Sequence, residues 1–150
     1  MVRAMTITDY PSVYALWKTI PGFGIRAIDD SEEGIERFLL RNPSSCAVAE
    51  QDGHIVGAIL CGHDGRSACF YHVCVAKEYR RRGIGSAMVR FCIEALKREE
   101  INRILLNAFI KNEIGNLFWQ SMGWRLCSDS HYYDYILNER NVTVFNDAAD

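Results

Sequence analysis

The most constraining feature of the sequence is an apolar strand that turns through a basic, glycine-containing loop directly into a helix. Residues 73–75 (Val-Cys-Val) are typical of a buried strand, residues 80–82 are three arginines, and Gly83 and Gly85 open an amphipathic run. A helix N-terminus carries unpaired backbone N–H groups and a partial positive charge, and glycines let a ligand approach the backbone closely. The loop therefore predicts a site for an anion such as a diphosphate. A basic turn with purely structural glycines is the alternative.

The composition is that of one folded domain over residues 1–150. Of the 150 residues, 49% are hydrophobic and 24% are charged, which is usual for a globular protein. The formal net charge of −2 argues against nonspecific nucleic-acid binding, so the anion site must be local. The six cysteines show no metal-ligand spacing, and neither a signal peptide nor a membrane span of ~18 apolar residues is found. We expect a cytoplasmic protein without a metal site or membrane contact.

Hydrophobic periodicity predicts an α/β (α+β) fold. Asp52-Gly53 indicates a tight hairpin between two strands, and a second turn at residues 63–66 leads to a third strand, so these three form an antiparallel meander. Helices before and after the meander imply a mixed sheet covered on both faces. The predicted order is β-α-α-β-β-β-α-β-α-β-β, with strands at residues 2–7, 45–50, 54–61, 69–75, 101–110, 124–127 and 132–137 and helices at about 9–19, 30–42, 85–98 and 113–122. Residues 138–150 are polar and expected to be peripheral.

Two segments resemble motifs of the GCN5-related N-acetyltransferase (GNAT) superfamily. Residues 80–85, Arg-Arg-Arg-Gly-Ile-Gly after a strand, resemble motif A (Q/R-x-x-G-x-G/A). Residues 112–124 resemble motif B, an Asn followed by a short helix, an aromatic pair and a Gly-aromatic exit. The resemblance extends from about Val2 to Leu137 and includes bacterial members similar to ribosomal-protein alanine acetyltransferases. It implies a mostly antiparallel sheet of about 6–7 strands flanked by about four helices.

The resemblance implies acetyl-CoA as the cofactor. Its diphosphate would bind the amides of residues 81–86, and its pantetheine arm would run beside residues 73–75, where the fourth and fifth strands splay apart. Asn112 would hydrogen-bond that arm. The implied cofactor-binding residues are Val73, Cys74, Val75, Arg80, Arg81, Arg82, Gly83, Ile84, Gly85, Ser86, Asn112 and Trp119.

The resemblance also implies direct attack of a primary amine on the thioester in a ternary complex. The backbone N–H of Val73 is the implied oxyanion donor. Counting from Asn112, Asn107 occupies the position of the family's catalytic Glu, and Trp119 occupies the position of its catalytic Tyr. Neither side chain is a practical base or acid, so the family's assignment does not transfer to this chain.

His72 is the first alternative base, because it lies on the strand nearest the thioester and an imidazole titrates near neutral pH. Tyr71 would place a hydroxyl near the leaving sulfur. Both residues are flanked by apolar neighbours, so a packing role is the alternative for each. The expected acceptor-site residues are Trp17, Phe23, Asp30, Asp64 and Asn107. For Asp30 a helix cap and for Asp64 an Asx-turn are equally good interpretations.

Several alternatives for the function remain open at this point. The acceptor is a peptide or protein N-terminus or a small-molecule amine, with a preference for an amine of low pKa because the usual base is missing. A non-catalytic CoA-binding sensor or interaction module is the alternative from another class. A monomer and a homodimer are both compatible with the sequence.

Overall fold

The computed structural model describes residues 1–148, which form seven strands and four helices. A five-stranded sheet forms the centre, and a separate two-stranded ribbon lies beside it. Two short 3-10 turns, Ile7–Asp9 and Lys77–Tyr79, precede α1 and α3. The elements are β1 (Val2–Ala4), α1 (Tyr10–Thr19), β2 (Gly24–Arg26), α2 (Glu32–Arg41), β3 (Ala47–Gln51), β4 (His54–His63), β5 (Ala68–Val75), α3 (Ile84–Arg98), β6 (Ile104–Leu105), α4 (Glu113–Ser121) and β7 (Thr143–Phe145).

The central sheet has the strand order β1-β3-β4-β5-β6. Its pairs are antiparallel except β5 with β6, which is parallel. The expected meander is β3-β4-β5. Asp52 and Gly53 both have positive φ, 52° and 78°, as the tight turn that matches the twist of a hairpin requires. This confirms the mixed, mostly antiparallel fold class.

Helices cover both faces of the sheet. On one face α3 packs its apolar stripe, including Met88, Val89 and Cys92, against the inner residues of β3, β4 and β5. On the other face α1 and α2 cover a second cluster around Trp17 and Ile35. Four of the six cysteines are buried in these clusters, which agrees with a packing role: Cys46, Cys61, Cys74 and Cys92. No helix within residues 1–148 is long and apolar enough to span a bilayer.

The predictions for the last third of the chain were partly wrong. Residues 124–127 and 132–137 are not strands, and the predicted strand at residues 101–110 is reduced to β6. Their β-branched and aromatic residues suit a strand, but a strand forms only where another backbone pairs with it, and residues 125–137 make no backbone–backbone hydrogen bond to any described residue.

The C-terminal segment is more than a peripheral tail. Residues 143–145 pair antiparallel with Gly24–Arg26, so the segment at 138–148 contributes the partner strand of a ribbon that no periodicity had indicated. Gly24 permits this pairing, because a Cβ there would lie 2.8 Å from Phe145 Cε1. The last two residues of the predicted tail lie outside the described range.

Candidate active site

The start of α3 presents a run of unpaired backbone N–H groups. Gly83 is the N-cap, with φ 79° and ψ 7°, and Arg81 also has a positive φ of 65°. The first helical bond is from Ala87 N to Gly83 O, at 3.0 Å. Between Arg81 and Ser86 no backbone N–H finds an acceptor among residues 1–148. Such a turn at a helix N-terminus concentrates donors and positive potential and is suited to an anion.

The three arginines before Gly83 differ in what they contact. Arg80 Nε donates to the Val75 carbonyl oxygen at 3.0 Å. Arg82 donates to the Glu78 carbonyl at 2.9 Å and lies over the Tyr79 ring. Arg81 forms neither a hydrogen bond nor an ion pair with the described part of the chain. Arg80 and Arg82 therefore brace the loop, and Arg81 leaves its guanidinium open to solvent.

Strands β5 and β6 separate next to this cradle. They pair only at Ala68 with Ile104 and Cys69 with Leu105. Beyond Cys69, β5 keeps β4 as its only strand neighbour in the described range, so one backbone edge of residues 70–75 is open. Cys74 in this stretch is no nucleophile, because burial raises the pKa of its thiol to about 12.

A β-bulge interrupts β5 at His72. Leu60 pairs with Tyr71 and Ala58 with Cys74, so His72 and Val73 together lie opposite the single residue Ile59. His72 has a φ of 51°, a left-handed conformation that is uncommon for residues other than glycine. Bulges of this kind re-aim a side chain, and here the bulge directs His72 toward α1.

The His72 ring is held on several sides. It lies 4.8 Å from the Trp17 ring and 4.6 Å from the Phe23 ring, between centroids. Its Nε2 is 2.8 Å from Asp30 Oδ2, and the Asp30 side chain is only 5% exposed. Asp30 Oδ2 also accepts the Arg26 backbone N–H at 2.7 Å. Four residues expected in the active site, His72, Trp17, Phe23 and Asp30, are therefore brought together.

The indole N–H of Trp17 has no acceptor. Trp17 is fully buried, and within residues 1–148 its Nε1 is the one buried side-chain nitrogen or oxygen atom without a hydrogen-bond partner. Orphaned buried donors are rare because desolvation makes them costly. This orphaned N–H belongs to the ring that packs against His72.

Two other expected residues have different contacts. Asp64 lies in the exposed turn between β4 and β5, where its carboxylate accepts the N–H groups of Arg66 and Ser67. Those hydrogen bonds lower the pKa of Asp64, so the structure shows the Asx-turn role. Tyr71 is half exposed and its ring meets Phe38 edge-on. Burial raises the pKa of Tyr71 to about 12.

The motif B residues have structural contacts of their own. Asn112 is the N-cap of α4, and its Oδ1 accepts the Gly115 N–H at 3.0 Å. Trp119 packs against Phe70 and Trp124 beside the α3 face of the core. Asn107 is exposed after β6 and has no hydrogen bond to a described residue. None of these three side chains forms a hydrogen bond or a ring contact with His72.

Sequence reasoning missed the segment that fastens the loop carrying Phe23 and Asp30. Asn146 Nδ2 donates to the carbonyls of Trp17 and Ile20, both at 2.8 Å. Asn141 Oδ1 accepts the N–H groups of residues 28 and 29 at 2.9 and 3.0 Å. We call residues 141–147 the C-terminal clasp. The alternation of Thr143, Val144 and Phe145 was the only local signal, and three residues are too few to indicate a strand.

The chain is similar to curated acetyltransferases of bacteria. It is 30% identical to an acetyltransferase of Pectobacterium atrosepticum over 142 residues, covering 87% of this chain and 99% of that protein. It is 35% identical to an acetyltransferase of Sodalis glossinidius over 88 residues, covering 59% of this chain and 61% of that protein.

Solved structures share the fold at lower identity. Ard1 from Thermoplasma volcanium matches with a TM-score of 0.74 and 19% identity, over 85% of this chain and 84% of that one. A PaiA N-acetyltransferase from Thermoplasma acidophilum, solved with coenzyme A, matches with a TM-score of 0.72 and 16% identity, over 87% of this chain and 92% of that one. A ribosomal-protein-alanine N-acetyltransferase from Brucella melitensis matches with a TM-score of 0.67 and 16% identity, over 91% of this chain and 98% of that one.

A family profile tests the motif resemblance directly. The profile described as the acetyltransferase (GNAT) family matches residues 10–124, from the start of α1 to the end of the motif B segment. This range contains the cradle at α3, the bulge at His72 and the separation of β5 from β6. It covers well over half of the sequence, and the chain therefore belongs to the acetyltransferase (GNAT) family.

Proposed function

We propose that this enzyme transfers an acetyl group from acetyl-CoA to a primary amine, and that the N-terminus of α3 binds the diphosphate of the cofactor. The observation that carries the proposal is the run of unpaired N–H groups over residues 81–86. A diphosphate offers several anionic acceptor oxygens to such a run, and hydrogen bonds to a charged group contribute about 1.5–3 kcal/mol each. The amides therefore dominate binding, and the exposed guanidinium of Arg81 attracts the anion.

The open edge of β5 suits the rest of the cofactor. Residues 73–75 have β4 on one side only, so an extended amide-containing arm finds unpaired backbone beside them. When bound, acetyl-CoA supplies the acetyl group as a reactive thioester. Asn112 caps α4 through its side chain, so we assign it to supporting motif B and place the cofactor contacts on the backbone of β5 and the cradle.

His72 is the base in this proposal. Its Nε2 faces Asp30 Oδ2, while Nδ1 has no protein partner in the described range and is not sealed from solvent. An acceptor amine that hydrogen-bonds to Nδ1 would give up its proton there. The adjoining bulge residue, Val73, is the proposed backbone donor to the carbonyl oxygen.

The acceptor that fits this site best is an amine of low pKa, such as a peptide N-terminus. Deprotonating a lysine amine of pKa ~10.4 at pH 7 costs about 4–5 kcal/mol, whereas an α-amine of pKa ~7.7–8.0 costs about 1 kcal/mol. Asn107 replaces the family's carboxylate base, so the site lacks one means of removing that proton. Asp30 Oδ2 already accepts from His72 and Arg26, and the side chain is nearly buried, so we assign Asp30 to His72 and not to a cationic acceptor.

Release of CoA thiol tests the function and the acceptor together. The enzyme is incubated with acetyl-CoA and two peptides of equal length and charge. One has a free N-terminus and no lysine, and the other has a blocked N-terminus and one lysine. We expect a higher kcat/KM for the free N-terminus. A clear preference for lysine contradicts the acceptor assignment. No thiol release with either peptide or with a panel of small-molecule amines contradicts the transferase.

A further inference from the structure

We propose that Asp30 is a positioning residue for His72: it accepts the Nε2–H proton and thereby keeps Nδ1 free to take the proton of the acceptor amine. The inference rests on the proposed function, because it assigns the part that a second residue has in the same proton transfer. Neither motif A nor motif B contains Asp30, which lies on the turn before α2.

The first step of the argument is the geometry of the pair. The distance of 2.8 Å between His72 Nε2 and Asp30 Oδ2 is that of a good hydrogen bond. An ionised carboxylate only accepts, so the ring nitrogen that faces it must carry the proton. In a neutral imidazole the proton on Nε2 leaves Nδ1 as the acceptor.

The second step is that Asp30 itself is fixed. The Arg26 N–H donates to the same carboxylate oxygen at 2.7 Å, and the Tyr10 hydroxyl donates to the Asp30 backbone carbonyl at 2.7 Å. The side chain is nearly buried, at 5% exposed. Because hydrogen bonds hold both the carboxylate and the backbone of Asp30, the carboxylate cannot follow the ring if the ring turns, so it imposes one orientation on His72.

The third step concerns His72. Its positive φ is a strained conformation for a residue with a side chain, and strain of this kind persists where the surroundings determine it. The rings of Trp17 and Phe23 confine the imidazole at centroid distances of 4.8 and 4.6 Å. These contacts set the position of the ring, but an aromatic wall does not distinguish its two nitrogens. Only the Asp30 carboxylate determines which ring nitrogen carries the proton.

The proton balance of the step follows from this arrangement. As the amine nitrogen bonds to the acyl carbon and the carbon–sulfur bond breaks, the amine's proton moves to Nδ1 and the CoA sulfur leaves as the thiolate. The imidazolium formed then has its Nε2–H directed at a carboxylate, which stabilises the new charge. Solvent takes the proton from Nδ1 and restores the neutral ring. Nothing is oxidised or reduced.

Several other titratable groups lie near the pair, among them Tyr14 and Glu32. Arg26 and Asp29 form an exposed ion pair at 3.8 Å beside it, Tyr10 contacts the Asp30 backbone, and Tyr71 precedes His72 on β5. Asp29 is the neighbour of Asp30 but is about half exposed, and its Oδ2 accepts from Asn141. It therefore provides a matched control for loss of a negative charge at this turn without loss of the hydrogen bond to His72.

Kinetics of single and double variants test the coupling. We expect His72→Gln to lower kcat about 10²–10⁴-fold, the usual contribution of a general base, and Asp30→Asn to lower kcat at least about 10-fold with KM for acetyl-CoA unchanged. Because Asp30 acts through His72, the double variant should be no slower than His72→Gln alone. Asp29→Asn should keep wild-type kcat. Losses that multiply in the double variant overturn the proposal, as does an Asp30→Asn enzyme with wild-type kcat.

A spectroscopic measurement tests the proposal without turnover. The ¹⁵N shifts of the imidazole, assigned by their loss in His72→Gln, report which ring nitrogen carries the proton. We expect the neutral ring to be protonated at Nε2 in the wild type and in Asp29→Asn. An Nδ1-protonated ring in the wild type overturns the proposal even if Asp30→Asn does not fold. Because the shifts need no acceptor, an Nε2–H ring in an inactive enzyme refutes the transferase function while leaving the Asp30–His72 hydrogen bond standing.

Discussion

Gly83 has a left-handed backbone conformation and also caps the proposed diphosphate cradle. A matched pair of variants can separate these two properties. The Gly83 φ of 79° is left-handed, and a Cβ at this position would meet nothing within 4 Å. Gly53 in the β3–β4 turn has a φ of 78° and equally open surroundings. The backbone strain of an alanine is therefore the same at both positions, while only Gly83 caps the proposed diphosphate cradle.

We predict that Gly83→Ala and Gly53→Ala each lower the free energy of unfolding by about 1–2 kcal/mol, the cost of the left-handed conformation for a residue with a Cβ. Only Gly83→Ala should weaken CoA binding, because relief of the strain rotates the amides of the cradle. Chemical denaturation measures the first effect and calorimetric titration with CoA the second. Equal CoA affinity in the two variants would contradict the proposed diphosphate site.

Asp9 connects the first strand to the start of α1. The Arg3 guanidinium binds its carboxylate through two hydrogen bonds, of 2.9 and 2.8 Å, and the Thr6 N–H donates to it at 2.9 Å. Hydrogen bonding to Arg3 is the main reason that the pKa of Asp9 is lowered, with the Thr6 N–H adding to it against the effect of burial. The folded protein thus binds fewer protons at this site than the unfolded chain does near pH 4.

We predict that Asp9→Asn lowers the free energy of unfolding by about 1–2 kcal/mol at pH 7, after allowing for the partial exposure of Arg3. A lowered pKa contributes stability above the unfolded value of ~3.9 and loses it as the pH falls through the folded value. The difference in free energy of unfolding between wild type and variant should therefore become smaller below about pH 4. Urea unfolding from pH 3 to 8 measures it, with Asp52→Asn in the exposed hairpin turn as control. A gap independent of pH would contradict this account.

The C-terminal clasp is the element on which the order of the α1–α2 loop depends. Its strand pairs with β2, and Asn146 satisfies the carbonyls of Trp17 and Ile20 at the end of α1. Asn141 holds the backbone of residues 28 and 29, just before Asp30. The two asparagines therefore fix both ends of the loop that carries Phe23.

We predict that Asn146→Ala lowers the free energy of unfolding by about 1–3 kcal/mol, because two hydrogen bonds of about 0.5–1.5 kcal/mol each are lost. The amides of Gly24–Arg26 should exchange faster with solvent, since the ribbon opens locally before the sheet does. Asn102→Ala, which loses one long hydrogen bond to the Glu100 carbonyl, should change neither quantity. Hydrogen exchange that rises evenly over the whole molecule would show that the clasp does not open as a unit.

Elements that are determined by neighbouring residues could be predicted from the sequence, whereas elements that depend on distant residues could not. The Asp52-Gly53 hairpin and the cradle at α3 depend on neighbouring residues, and the structure contains both. The ribbon joins Gly24–Arg26 to Thr143–Phe145, more than a hundred residues away. No local pattern encodes such a pairing, so it was missed, and strands were assigned instead to residues 124–127 and 132–137.

The candidate site shows the same division. His72 was singled out because of its place on β5, and Asp30 only as a possible cap or cation site. Their contact depends on the bulge that turns His72 out of the strand register. A one-residue bulge shifts the in–out alternation by one position, but residues 68–75 are apolar almost throughout, so the shift is not visible in the sequence. The residues themselves predict the anion cradle, and the family resemblance implies the splayed strands, but neither indicates a partner for His72.

On the scale of the whole molecule, β4 is the strand on which both helical layers rest. Gly57 lies under α3, where a Cβ would be 2.8 Å from Met88 Cε and 3.2 Å from the Cys74 carbonyl oxygen. Gly62 lies under α2, where a Cβ would be 2.6 Å from Phe38 Cζ and 2.8 Å from Asn42 Nδ2. The missing side chains let the two layers approach the sheet from opposite faces.

We predict that Gly57→Ala and Gly62→Ala each lower the free energy of unfolding by about 1–3 kcal/mol, the usual cost of overpacking. Only α3 carries the cradle, so Gly57→Ala should also raise the Kd for CoA several-fold by lifting Met88 and the start of the helix from β4. Gly62→Ala displaces α2 and should leave that Kd unchanged. Denaturation and calorimetry on both variants distinguish the layers. If both variants lost stability but neither lost affinity, the position of α3 on the sheet would not determine cofactor binding, and the cradle would act as an independent loop.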